Sequence, residues 1–137
     1  FYKHFADKKE AFVAAYDAWV ASEWSEVEAI VAEAGSREAR AAELVRRIID
    51  LHKRWRVLRR SLRALVAEDA DVRRAYVAAR SRQLDTMARL RGGGGDREAD
   101  ALLLYTLERA ADAIADGEPE PLGLDESRLL EHLTQLI

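Results

Sequence analysis

Residues 1–12 read FYKHFADKKEAF, and the way this stretch divides into elements decides the fold. Its pattern predicts the last turn of one helix, a tight connection at Phe5 and Ala6, and the start of a second helix. Asp7 is the expected N-cap, and Glu10, three residues on, returns a hydrogen bond to its amide in the reciprocal capping pattern. Lys8 and Lys9 then fall in the first helical turn, where the dipole disfavours cations by roughly a few tenths of a kcal/mol. That placement suits a site where something anionic lies beyond the helix end.

From Lys8 onward the 137-residue chain reads as helix after helix. Its length is that of one domain. Abundant alanine, few β-branched runs and a recurring 3.6-residue apolar spacing predict an all-α fold. The first long segment, 8–34, carries Phe12, Tyr16, Trp19 and Val20, is interrupted at Ser22, and resumes at Trp24, Val27 and Ile30. It reads equally as one bent helix or as two helices meeting at the serine, with Gly35 as its stop. Ser36 caps a segment over 37–66 with Leu44, Ile48, Leu51, Trp55, Leu58 and Leu62 on one face. Asp69 caps a third helix, to about residue 90, aligned along Val72, Tyr76, Ala79, Gln83 and Met87.

Four consecutive glycines over 92–95 predict a mobile, substitution-tolerant loop. The lysine and hydroxyl that complete a nucleotide-binding loop are missing there. Asp96 caps a helix to about residue 116, whose Leu103, Leu107 and Ile114 face is widened by Leu102 and Tyr105, as expected of a helix with contacts on two sides. Gly117 stops it, Pro119 and Pro121 predict an extended link, and Asp125 caps a last helix edged by Leu129, Leu130, Leu133 and Leu136. Such an edge left bare is poor for solubility. The last two helices are therefore expected to meet a second copy, two-fold dimers being the commonest closed assembly.

The net charge of −3 hides an asymmetry: residues 37–91 carry a balance of +9, residues 96–137 one of −8. Such segments attract each other, within a chain or across a dimer. Cysteine is absent, which removes disulfides and thiolate metal sites. Neither a long apolar run nor a basic-then-apolar leader is present to suggest a membrane span or secretion. His4, His52 and His132 lie on separate segments, and no metal-ligand spacing or nucleophile elbow occurs. The expectation is therefore a non-enzyme without metal or cofactor. Large side chains at inner positions, Trp19, Trp24, Trp55, Tyr76, Met87 and Tyr105, suit either a ligand cavity or a solid core.

At residues 1–8 the sequence resembles the tetracycline-repressor-like (TetR) family of transcription regulators. In that family the recognition helix closes with an aromatic residue, Tyr, any residue, His and Phe, and a Lys follows to open the next helix. Here the run is Phe1, Tyr2, Lys3, His4, Phe5, Ala6, Asp7, Lys8. The resemblance implies DNA-backbone contacts for Tyr2, His4 and Lys8, a core role for Phe5, and a domain-junction role for Phe12. Lys9 and Ala11 depart from the family pattern, which has an acidic residue and a leucine there.

The resemblance further implies that residues 1–6 end a helix-turn-helix domain whose earlier helices precede Phe1, and that residues 7–137 form a helical ligand-binding and dimerisation domain. It implies an effector site between the helices of Trp55, Tyr76 and Tyr105; with Trp19 and Met87 from the inner faces and His52, Arg80 and Gln83 as polar candidates these make up the expected pocket, where an anionic or aromatic guest would suit the basic middle. Spacing and resemblance converge on Leu102, Leu103, Leu107, Leu129 and Leu133 for the homodimer interface. The implied function is a cytoplasmic, DNA-binding repressor released from double-stranded operator DNA by a small-molecule effector. The alternative is a helical dimerisation or scaffold module with neither DNA nor effector.

Overall fold

The computed structural model describes residues 2–137, with side chains from Asp7 onward. Among the described residues the fold is all-α, without strands: α1 (Tyr2–Ala32), α2 (Arg37–Arg54), α3 (Arg56–Glu68), α4 (Ala70–Leu90), α5 (Arg97–Ala115) and α6 (Glu126–Leu136). No helix among these residues is long and apolar enough to cross a membrane.

The first expectation is corrected at once. α1 runs unbroken from Tyr2 through Phe5 and Ala6 and past Ser22 to Ala32, so there is no connection at Phe5 and Ala6, and Asp7 and Glu10 are interior residues rather than a cap. The physical reason is local: residues 2–12 hold no glycine or proline, and their alanine, lysine and glutamate are strong helix formers. Lys9 does not point past a helix end either. Its ammonium lies 2.8 Å from Asp71 and 3.4 Å from Asp69, tying α1 to the start of α4.

The other caps follow the sequence. Ser36 Oγ accepts from the Ala39 amide, and Asp69 from Asp71 and Val72. Asp96 accepts from Glu98 and Ala99, and Asp125 from Ser127. Each of the three aspartates also puts a negative charge at the positive end of a helix dipole. The long apolar run breaks at Trp55, whose φ of −104° and ψ of 21° leave the helical region. The link after Gly117 is not extended: Pro119, with φ −62° and ψ −36°, caps a 3-10 turn at Glu120–Leu122 that holds Pro121 in its opening positions, where a missing N–H costs nothing.

Two cores result. Val45 and Ile49 of α2 pack with Leu107, Ala111 and Ile114 of α5 and Leu133 of α6. Tyr16 and Val20 of α1 pack with Leu62 of α3 and Val72 and Ala79 of α4. In α2 the buried residues are Ala41, Val45, Ile49, Leu51 and His52: Leu51 is buried as expected, while Val45 and Ile49 stand one position round from the predicted Leu44 and Ile48, which line the cavity. The basic middle and acidic end meet within the protomer: Lys53 pairs with Glu126, Arg60 with Asp116, Arg63 with Asp112 and Arg80 with Glu108.

The glycine loop is less permissive than its composition implies. All four glycines have positive φ, from 72° to 100°, a region costly for residues with a Cβ. A Cβ on Gly95 would also stand 2.9 Å from the Arg91 guanidinium. That side chain folds back to make a two-pronged ion pair with Asp100 at the start of α5.

Candidate functional site

Between the two cores lies a cavity of about 480 Å³, partly open to solvent and lined by α1 to α5 together with Ile137. The size is that of a small-molecule site, typically ~300–1,000 Å³. It arises because α1 packs on α4 and α2 while α2 also packs on α5 and α6, which leaves a gap where the two groups of helices face each other. Its apolar wall includes Val27, Leu44, Ile48 and Leu104, and its aromatic wall Tyr16, Trp19, Trp24 and Tyr76.

Six of the eight sequence-predicted pocket residues line this space: Trp19, His52, Tyr76, Arg80, Gln83 and Met87. Two do not. Trp55 sits at the junction of α2 and α3 and stands edge-on to Trp19, ring centroids 6.2 Å apart, so it braces a wall from outside. Tyr105 faces outward on α5, 53 % exposed, and its ring covers the Arg80 guanidinium at 5.5 Å.

The polar lining is built from ion pairs. Arg80, itself buried, donates to both Glu108 oxygens at 2.9 and 2.6 Å, to Tyr76 Oη at 2.6 Å and to Gln83 Oε1 at 3.0 Å. Burial opposes the Arg80 charge, but the Glu108 carboxylate more than compensates, so the pKa is raised and the guanidinium stays charged. Asp112 accepts from His52 Nδ1 at 2.7 Å and Arg59 Nε at 3.1 Å, and it also receives Arg63. Burial penalises the Asp112 carboxylate, yet the His52 hydrogen bond and the Arg59 charge hold its pKa down at about 2. Burial lowers the His52 pKa against the pull of that same carboxylate. A neutral His52 facing an ionised Asp112 carries its proton on Nδ1.

Sequence reasoning missed Glu23, Arg59, Glu108 and Asp112 as lining residues. The opposed charges of the middle and end segments were the available signal, since Glu108 and Asp112 share a face of α5 at helical spacing. Four of the arginines that line the cavity, Arg59, Arg63, Arg80 and Arg91, are each paired with a carboxylate. Glu23 differs. Its Oε1 is buried with no hydrogen-bond partner, and burial raises its pKa to about 7.

A second concavity, about 870 Å³, lies on the outside of α5 and α6 and is lined by Tyr105, Ala110, Leu122, Leu124, Leu129 and Leu136 among others. Of the five leucines expected at a dimer seam, Leu107 and Leu133 are buried in the protomer's own core. Leu103 and Leu129 are partly buried against that core, and Leu103 also reaches the internal cavity. Leu102 alone is largely bare, at 67 % exposed. The side chains of Tyr2 and His4 lie outside the described residues, as does that of Phe5. Lys8 is exposed on α1.

No protein-family model matches the chain, and neither a curated protein nor a solved structure is significantly similar to it.

Proposed function

We propose that the chain is a helical dimerisation module with a small-molecule chamber at its centre, serving as the regulatory part of a TetR-like repressor that leaves operator DNA when the chamber is filled. The observation that carries it is the aromatic-walled cavity between two separate cores. One of its walls, α1, is the same helix that begins at the TetR-like run. A guest that changes how α1 packs on α4 shifts the N-terminal end of a 31-residue rod, and guest and DNA then compete through a reciprocal coupling.

The parts of this reading have different supports. Self-association is supported by the bare apolar groove on α5 and α6, guest binding by the cavity, and DNA binding only by the resemblance at residues 1–8. The groove equally favours a second reading, a helical dimerisation or scaffold module with neither DNA nor effector, and the described geometry supports that reading better than it supports an operator. The discriminating observation is the coding sequence upstream of Phe1. A helix-turn-helix there supports the regulator, and its absence leaves the scaffold. A thermal-shift screen across aromatic acids, antibiotics and acyl compounds tests the chamber: a stabilising ligand is expected, and no stabiliser among chemically diverse compounds would count against it.

A further inference from the structure

The chamber's charges are not evenly satisfied, and the imbalance selects a guest. Of the arginines that line it, Arg59, Arg63, Arg80 and Arg91 are matched to Asp112, Glu108 or Asp100, and Arg37, at the Ile137 end, donates to the Ile137 carbonyl. Near Glu23, an anionic guest that took over Arg59 or Arg80 would have to displace a carboxylate already hydrogen-bonded to that guanidinium, and breaking such a buried pair leaves a charge uncompensated. Glu23 stands on α1 among Tyr16, Trp19 and Trp24, and its Oε1 lacks a partner. An ionised carboxylate held among apolar side chains is costly unless it meets a cation. The Trp19 indole Nε1 and the Arg80 Nε are also buried without acceptors.

We propose that the chamber takes a protonated lipophilic amine with an aromatic body, its nitrogen paired with Glu23 and its ring set among Trp19, Trp24 and Tyr76. This deepens the chamber reading above and rests on it. Aromatic faces favour a cation near them through the ring quadrupole, so the same wall that holds the ring also favours the charge. Trp19 Nε1 suits an acceptor such as an ether or carbonyl elsewhere on the guest. Burial holds the Glu23 carboxyl protonated up to about pH 7 when the chamber is empty, and pairing with an ammonium group favours its ionised form.

The test uses one scaffold in three charge states: 2-naphthylmethylamine, neutral 2-naphthylmethanol and 2-naphthoate, titrated calorimetrically into the full chain at pH 8. The amine is expected to bind at least about tenfold more tightly than the alcohol, and naphthoate more weakly than either. Glu23→Gln should remove that amine preference, bringing amine and alcohol to similar affinities. Trp19→Phe, which keeps a ring in the wall but shortens it, should weaken amine and alcohol alike, and a loss confined to the amine would show that the ring and not Glu23 selects the charge. Naphthoate binding best, or an amine preference that survives Glu23→Gln, would overturn the proposal while leaving the chamber intact. Failure of all three to bind would contradict the chamber itself.

Discussion

His52 of α2 and Asp112 of α5, sixty residues apart in sequence, meet at 2.7 Å in the wall of the internal cavity. The same carboxylate also receives Arg59 and Arg63 of α3, so one side chain joins three helices where the two cores face each other. A hub of this kind stabilises the fold only while it is ionised.

Asp112 therefore makes the protein acid-sensitive. Its folded-state pKa, near 2, is depressed below the unfolded value, so its contribution is complete above about pH 5 and is lost as the pH falls through about 2. Asp112→Asn should cost about 2 kcal/mol at pH 7, after allowance for solvent screening. The loss should shrink as the pH falls below about 4 and vanish only at about pH 1, below both pKa values. Urea unfolding at several pH values measures both.

Glu23 acts with the opposite sign. Its folded-state pKa of about 7 is raised above the unfolded value, so stability falls as the pH rises from about 4.5 to about 7 and stays lower above that. Arg59 of α3 eases the ionisation, while Glu108 of α5 and Glu26 of α1 oppose it. Glu23→Gln should raise stability at pH 8 by roughly 2 kcal/mol and leave it unchanged at pH 4, as read by thermal melts. A carboxylate that weakens the empty protein is easier to understand at a binding site than in a structural core.

The glycine loop should discriminate between neighbours. Gly94→Ala meets only the strain of a positive φ, about 1–2 kcal/mol, because open space surrounds its missing Cβ. Gly95→Ala adds a clash with Arg91 and disturbs the Arg91–Asp100 pair, so it should be the more destabilising of the two. Chemical denaturation of both variants gives the comparison.

Self-association should depend on the outer groove. Leu122 and Leu136 are 64 % and 54 % exposed, and neither belongs to a core cluster, so Leu122→Lys with Leu136→Lys should leave the fold unchanged. Wild-type protein is expected to sediment as a dimer at micromolar concentration and the double variant as a monomer with the same helical content. A wild-type monomer would end the dimer reading.

Lys8→Ala, placed in a protein that also carries a DNA-reading head, should weaken binding to operator and random DNA alike and reduce the salt slope by about one unit. A loss confined to operator sequence would contradict a backbone role for Lys8.

Much of the fold was legible because helix ends are written in local chemistry. Ser36, Asp69, Asp96 and Asp125 each cap the helix expected of them. Residues 5–7 misled because a capping pair is a weak local preference, which continuous strong helix formers on both sides override. The cavity was half legible. Trp19, Tyr76 and Met87 follow from helical spacing, but nothing local tells Trp55 to brace from outside or Tyr105 to cover an arginine. Glu23 was hidden for the same reason: along the chain it is one charged residue among many, and only the packing of the helices around the cavity buries its Oε1. At the seam, Leu107 and Leu133 show the limit of apolar periodicity, which finds a buried face without saying whether the protomer or its partner buries it.

The central claim is that the space between the two cores receives a small molecule, and the most direct measurement is guest stoichiometry before and after that space is filled. Val27 is partly buried and lines the cavity, so Val27→Trp places an indole inside it without removing a core residue. Calorimetric titration with 2-naphthylmethylamine should give one guest per wild-type chain and none in the Val27→Trp variant, with helical content unchanged. Undiminished binding in that variant, or no saturable binding to the wild type, would contradict the account.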